Sequence, residues 1–268
     1  MKKIYQITLL IFITCFLSVG VKALHIKTQA ELDAFVLANP NLAEYSGDLI
    51  IGANLTYEWG IPTGNTDIDN LSGLKDLKKV NGDFYLIKFK GNDLTELSAL
   101  KEVTGSFIIS GAPMLKNLSG LNKLNSVGIQ FIVSHNVLME DISGLVSGVN
   151  VAETVVIDSN ETMLTLNGYE NITCQGTLMF CFNPSMTDIS AIQGVSEVKG
   201  LGIFNNDEIE ELSVLSELTT VTEKLSINDN PKLFTLDGLE NLESVTRLEI
   251  YNNPSLYDCD AKGICKRL

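Results

Sequence analysis

The chain has 268 residues, 45% of them apolar, two histidines and a formal net charge of −14. A surface this acidic repels phosphate backbones and anionic lipid heads, which disfavours nucleic-acid binding through a basic patch. The length fits one large domain or two small ones, and internal repetition argues for one.

Residues 1–23 read as an export signal. Lys2 and Lys3 give a positive start, Ile7 to Leu17 form an apolar run, and Val21 and Ala23 place small residues at −3 and −1 of a cleavage site. The run is short for a membrane span, which takes about 20 residues. Cys15 lies inside the run, and Phe12, Ile13 and Thr14 before it are not the small residues that precede a lipidated cysteine. Cleavage after Ala23 removes Lys2, Lys3 and Lys22 and no acid, taking the charge from −14 to −17. The expected mature chain is therefore residues 24–268, with no membrane span after cleavage, secreted or held at the cell-envelope surface.

The next element is a helix. Thr28 and Glu31 form a capping-box pattern, Leu32, Phe35 and Val36 line one apolar face, and Asn39-Pro40 ends it. A short strand follows at Leu49-Ile50-Ile51. Matching segments then begin at Ile87, Phe107, Phe131, Val155, Leu178, Leu201, Leu225 and Leu248. From Ile87 the steps are 20, 24, 24, 23, 23, 24 and 23 residues, the period of a solenoid in which each repeat is one coil. The first step, from Leu49, is 38, so residues 52–67, with the lone Trp59, are expected to be an inserted loop.

Each coil carries a second signature, as in Leu71 to Leu74, Leu118 to Leu121, Ile142 to Leu145 and Leu236 to Leu239, mostly with Ser-Gly or Asp-Gly between. A small apolar residue precedes each later strand: Val103, Val127, Val151, Cys174, Val198, Val221 and Val245. Stacking turns these positions into continuous inward columns. Asn54, Asn92, Asn136, Asn160, Asn183, Asn206, Asn230 and Asn253 end the strands, with Ala112 the exception. An inward asparagine at each corner can bond the turn above or below, so these residues are expected to be structural. The fold class is then mainly β: a right-handed parallel β-solenoid of about nine coils with an N-terminal capping helix.

Cys259 and Cys265 are spaced to close a small disulfide loop in an oxidising compartment. A Cys174–Cys181 bond is disfavoured, because Cys174 falls in an inward column and Cys181 at an outward strand position. Cys181 is then either an exposed thiol or one buried beneath a loop.

No catalytic constellation stands out. His25 lies near the new N-terminus and His135 at a turn, no Cys/His spacing suits a metal, and no glycine-rich phosphate loop occurs. No cofactor is expected. The less favoured enzyme alternative, a polysaccharide lyase or hydrolase, needs carboxylates or bases clustered on one sheet face. The outward positions offer only Lys88, Lys90, Asp158 and Glu249, set apart from one another. The same positions give an apolar stripe: Ile108, Ile132, Val156 and Met179 side by side, with Phe204 and Tyr251 nearby. These six are the candidate binding residues, because contiguous exposed apolar surface marks interaction sites; the competing reading is a face covered by the 52–67 loop. A structural role, as an adhesin or a self-associating surface protein, is the alternative.

The pattern Leu-Ser-Gly-Leu, then valine, then Leu-x-Ile-x-x-Asn-Pro resembles leucine-rich repeats. The asparagine-to-leucine gap of three, as in Asn253 to Leu256, is closer to the receptor L-domain family in its bacterial secreted form. The entry through Thr28 to Asn41 and Gly47 to Ile51 looks like that family's, as does the ending Asn252-Asn253-Pro254 with Cys259 and Gly263-Ile264-Cys265. The resemblance spans residues 26–268. It implies an extracellular or cell-surface module that binds a protein or glycan through its sheet face; no ligand residue and no signalling role carries over.

Overall fold

The computed structural model describes residues 23–55 and 61–257. The expected export signal up to Lys22, Trp59, and Cys259 and Cys265 with their expected disulfide lie outside the described residues.

The strands stack in chain order into one ten-stranded parallel sheet. It starts at Leu24–Ile26, continues through Leu49–Gly52, Phe84–Ile87, Phe107–Ser110, Gln130–Ser134, Thr154–Asp158 and Thr177–Cys181, and ends with Glu197–Phe204, Thr220–Asn228 and Ser244–Tyr251. A second parallel sheet of six short strands, from Glu44–Ser46 to Ile172–Thr173, forms another wall. Several Leu-Ser-Gly-Leu segments make single 3-10 turns, as at Ser72–Leu74 and Ser213–Leu215, between the two walls. The apolar columns meet inside as one cluster running from Ile26 to Leu242, with Phe84, Phe107 and Phe131 in contact at centroid distances of 5.5 and 5.9 Å. Each strand is too short to bury a face alone, so neighbouring coils supply the rest.

The helix spans Gln29–Ala38, and the capping box forms as the sequence implies, with Thr28 and Glu31 exchanging both bonds. Leu32 is buried, and Phe35 and Val36 pack on the core. The strand Leu24–Ile26, which the repeat pattern does not reveal, precedes the helix and pairs with Leu49–Ile51.

One register expectation is overturned. The third strand of the long sheet is Phe84–Ile87, not Ile87-Lys88-Phe89: Phe84 pairs with Leu49 and with Phe107. The step to Phe107 is then 23 residues and joins the common period. The cause is packing, since Phe84 stacks on Phe107 whereas Ile87 faces outward beside Ser110. Lys88 and Lys90 therefore leave the outward strand positions. Lys88 adopts a left-handed turn at φ 55°, and Lys90 is exposed after it.

The corner after each of the last eight strands of the long sheet turns in the same way. Lys88, Gly111, His135, Ser159, Phe182, Asn205, Asp229 and Asn252 all have φ between 53° and 68°. For a residue with a Cβ this costs about 1–2 kcal/mol. The turn aims each N–H at the next coil; that of His135 reaches the Asp158 carbonyl at 3.1 Å, and that of Phe182 reaches Phe204 at 3.1 Å. From His135 on, the following residue is the ladder asparagine. Asn183 accepts the Asn160 backbone N–H at 3.1 Å and donates its amide to the Ile157 carbonyl at 3.0 Å, and Asn136, Asn160, Asn206, Asn230 and Asn253 reach back in the same way. The ladder is shorter than expected. Asn54 is exposed in a hairpin and Asn92 is exposed, while Phe89, fully in the core, holds the corner that Asn92 was expected to fill.

Replacing Asn183 with alanine strands the Asn160 N–H and the Ile157 carbonyl in the interior. We expect a loss of about 2–4 kcal/mol in urea unfolding, with the slope unchanged. Asn92→Ala should stay within about 0.5 kcal/mol of the parent.

Candidate binding face

The outward side of the long sheet presents two columns of side chains whose order follows from the register. Ile108, Ile132, Val156 and Met179 are direct neighbours in one column. Phe204 stands in the other, beside Cys181, and Tyr251 two strands further on, with Asn228 between them. The six candidate residues thus share one face without forming an unbroken patch.

At the N-terminal end the face is covered. Asn54–Leu55 and Pro62–Thr63, the described ends of the insertion, pair as an antiparallel hairpin. Ala53, Ile87 and Ile108 form a small buried cluster on this outer side, with Leu55, Tyr85 and Ile132 packed on it. Pro62 lies so close to Gly111 that a Cβ there would stand 2.6 Å from its ring, which requires glycine at that corner. Lys88 donates its ammonium to the Gly64 carbonyl at 2.8 Å. Ile108 is consequently only 8% exposed.

The C-terminal end is polar. Glu249 receives Lys224 at 2.7 Å and Arg247 at 2.6 Å. Ser226 donates to Asn228, and Asp229 accepts from the amides of both Asn228 and Asn252. Tyr251 is 42% exposed beside this network.

Between these ends the face is apolar. Ile132 and Val156 are part-buried and Met179 is buried. Gly202 leaves a gap in the Met179 column, and the Phe204 ring lies over it; a Cβ on Gly202 would be 3.0 Å from that ring. Phe182 projects from its left-handed corner, 41% exposed, and meets Phe204 edge-to-face at 5.8 Å. Phe182 is absent from the sequence-based candidates. The signal was present, because it directly precedes a ladder asparagine, the place where the chain turns and directs a side chain off the strand.

Within this region sits one carboxylate, Asp158, between Ser134 and Cys181 in its column. Among the described residues its hydrogen-bond donor is Ser159, at 3.1 Å, and no cation pairs with it. Burial pushes its acid up to about 7, against the smaller lowering effect of the Ser159 bond. Cys181 is fully buried, and burial with the adjacent Asp158 raises its thiol well above the ordinary value. Of the two alternatives for Cys181, the structure has the buried one. Cys174 is also buried, and both are free thiols. His135 is half-buried, which lowers its imidazole, and its Nδ1 has no partner among the described residues. Among the described residues no group of three or more His, Cys, Asp and Glu is placed to hold a metal ion, and no helix is long and apolar enough to cross a membrane.

The fold and this face define a parallel β-solenoid with one large outward sheet surface. No family model matches the chain, and no curated protein matches it. Among solved structures it is similar to the crystal structure of an internalin, inlF, from Listeria monocytogenes, at 15% identity over 87% of this chain and 88% of that one, with a TM-score of 0.32.

The raised Asp158 acid has a definite sign. Between pH 4 and 7 the folded chain keeps a proton that the unfolded chain releases, so this site's contribution to stability falls as pH rises through 7. Asp158→Asn removes the dependence. Its melting temperature should exceed the parent's by about 3–6 °C at pH 8, with the difference closing by pH 4.

Proposed function

We propose that this chain is an exported binding module of the receptor L-domain type that holds a protein or glycan partner against the middle of its outward sheet face. The observation that carries this reading is the placement of Ile132, Val156, Met179, Phe204 and Phe182 together, between a hairpin-covered end and a polar end. Apolar side chains set on a regular sheet and rimmed by polar groups suit recognition. Export, with cleavage after Ala23, would bring the face to the cell exterior.

The outward acids speak against glycoside chemistry. The strands bearing Asp158 and Glu249 are four apart in the sheet, about 19 Å at the usual spacing. Carboxylate pairs that cleave glycosides stand within about 10 Å of each other.

The test is retention of a partner from envelope and culture-fluid fractions by the mature chain and by Val156→Lys, which charges the face and leaves the inward columns intact. We expect a species held by the parent and lost by the variant. Equal retention by both would remove the sheet face as the binding site. Sedimentation of the two proteins alone covers the self-associating alternative: a parent dimer that Val156→Lys makes monomeric would identify the partner as a second copy.

A further inference from the structure

We infer that Asp158 is the specificity-determining anchor of this face, and that the partner is a polypeptide segment presenting a lysine or arginine side chain between apolar residues. The inference rests on the binding reading above and deepens it.

Across the four strands Phe107–Ser110, Gln130–Ser134, Thr154–Asp158 and Thr177–Cys181, Asp158 is the only charged residue. Its neighbours in the sheet are Ser134 and Cys181, and Val156 and Met179 occupy the adjacent column. A carboxylate among such groups is costly unless a cation or several donors meet it. Among the described residues the fold supplies it a single hydroxyl, from Ser159. The cations of the same face stand three or four strands away, and there Lys88 bonds the Gly64 carbonyl while Lys224 and Arg247 pair with Glu249. Asp158 is part-exposed, so a cation arriving from outside could reach it.

Phe182 and Phe204 add a second feature that fits the same group. Cys181, the sheet neighbour of Asp158, lies between them: Phe204 pairs with it in the sheet, and Phe182 follows it in the chain. Their edge-to-face arrangement leaves Phe182 41% exposed. Aromatic faces beside a carboxylate attract ammonium and guanidinium groups. Ile132 and Val156 would take the apolar side chains that flank the cation. The net charge of −14 draws basic segments toward the surface at long range. A neutral glycan offers Asp158 hydroxyl donors but no charge to balance it.

The experiment pans a random twelve-residue peptide library displayed on phage against the mature chain, with counter-selection on Val156→Lys. Selected peptides are then resynthesised and titrated against the parent, Asp158→Asn and Asp229→Asn. Asp229→Asn removes the same charge from the polar end of the face. We expect selected peptides to share a lysine or arginine beside apolar residues, and to weaken about tenfold or more on Asp158→Asn while Asp229→Asn leaves them within twofold. Melting curves confirm that each variant is folded. Face-specific peptides without a basic residue, or peptides that bind Asp158→Asn as well as the parent, would overturn the inference and leave the binding face standing. A neutral glycan that Val156→Lys loses and Asp158→Asn keeps would do the same. If counter-selection on Val156→Lys removes every peptide selected on the parent, the face and the inference fall together.

Discussion

The rest of the molecule depends on how the corner after each strand is satisfied. Ending a strand and turning it leaves backbone donors and acceptors inside a solenoid, where water cannot reach them. The chain meets this with two consecutive residues. The first takes a left-handed turn and directs its N–H across to the next coil; the second, an asparagine, reaches back to the coil before. The strain of the first residue is offset by a bond that no other backbone geometry supplies there. Because the two reach in opposite directions, each corner sets the spacing on both sides, and the coils cannot slip in register.

Fixed register is what turns a one-dimensional repeat into a surface. A residue chosen at one outward position stands beside the residue 23 or 24 positions away. The sequence uses this differently along the sheet. Near the N-terminus it places Tyr85, Ile87 and Ile108 beneath a hairpin. Near the C-terminus it places Glu249, Lys224 and Arg247 where they pair with one another. In the middle it places apolar groups, two rings and one acid, with no hairpin over them and no ion pair among the described residues. The inward columns need only apolar volume, so the outward columns can vary without disturbing them.

Much of the architecture is legible in the sequence because the period and the inward leucines are set by packing every coil must satisfy. The irregular third coil misleads. Ile87-Lys88-Phe89 imitates the strand pattern, and only its odd step of 20 residues betrays that Phe84 starts the strand. Asn54 and Asn92 mislead in the same way, because asparagine suits any tight turn and sequence alone does not tell a ladder corner from a surface one. Ile108, Ile132, Val156 and Met179 are placed correctly as neighbours, since their coils are regular. That Pro62 would settle over Gly111, or that Phe204 would fold across Gly202, depends on long-range contact and leaves no periodic trace.

The backward reach of each ladder asparagine has a mechanical meaning as well. Its bonds reach no further than the neighbouring coil, so no tie in the ladder spans three. Tension applied along the stack is carried by every interface in series, and the weakest gives way first. A solenoid loaded in this way would yield in increments, about one coil's length of chain after another, and could shed load without losing the coils still stacked.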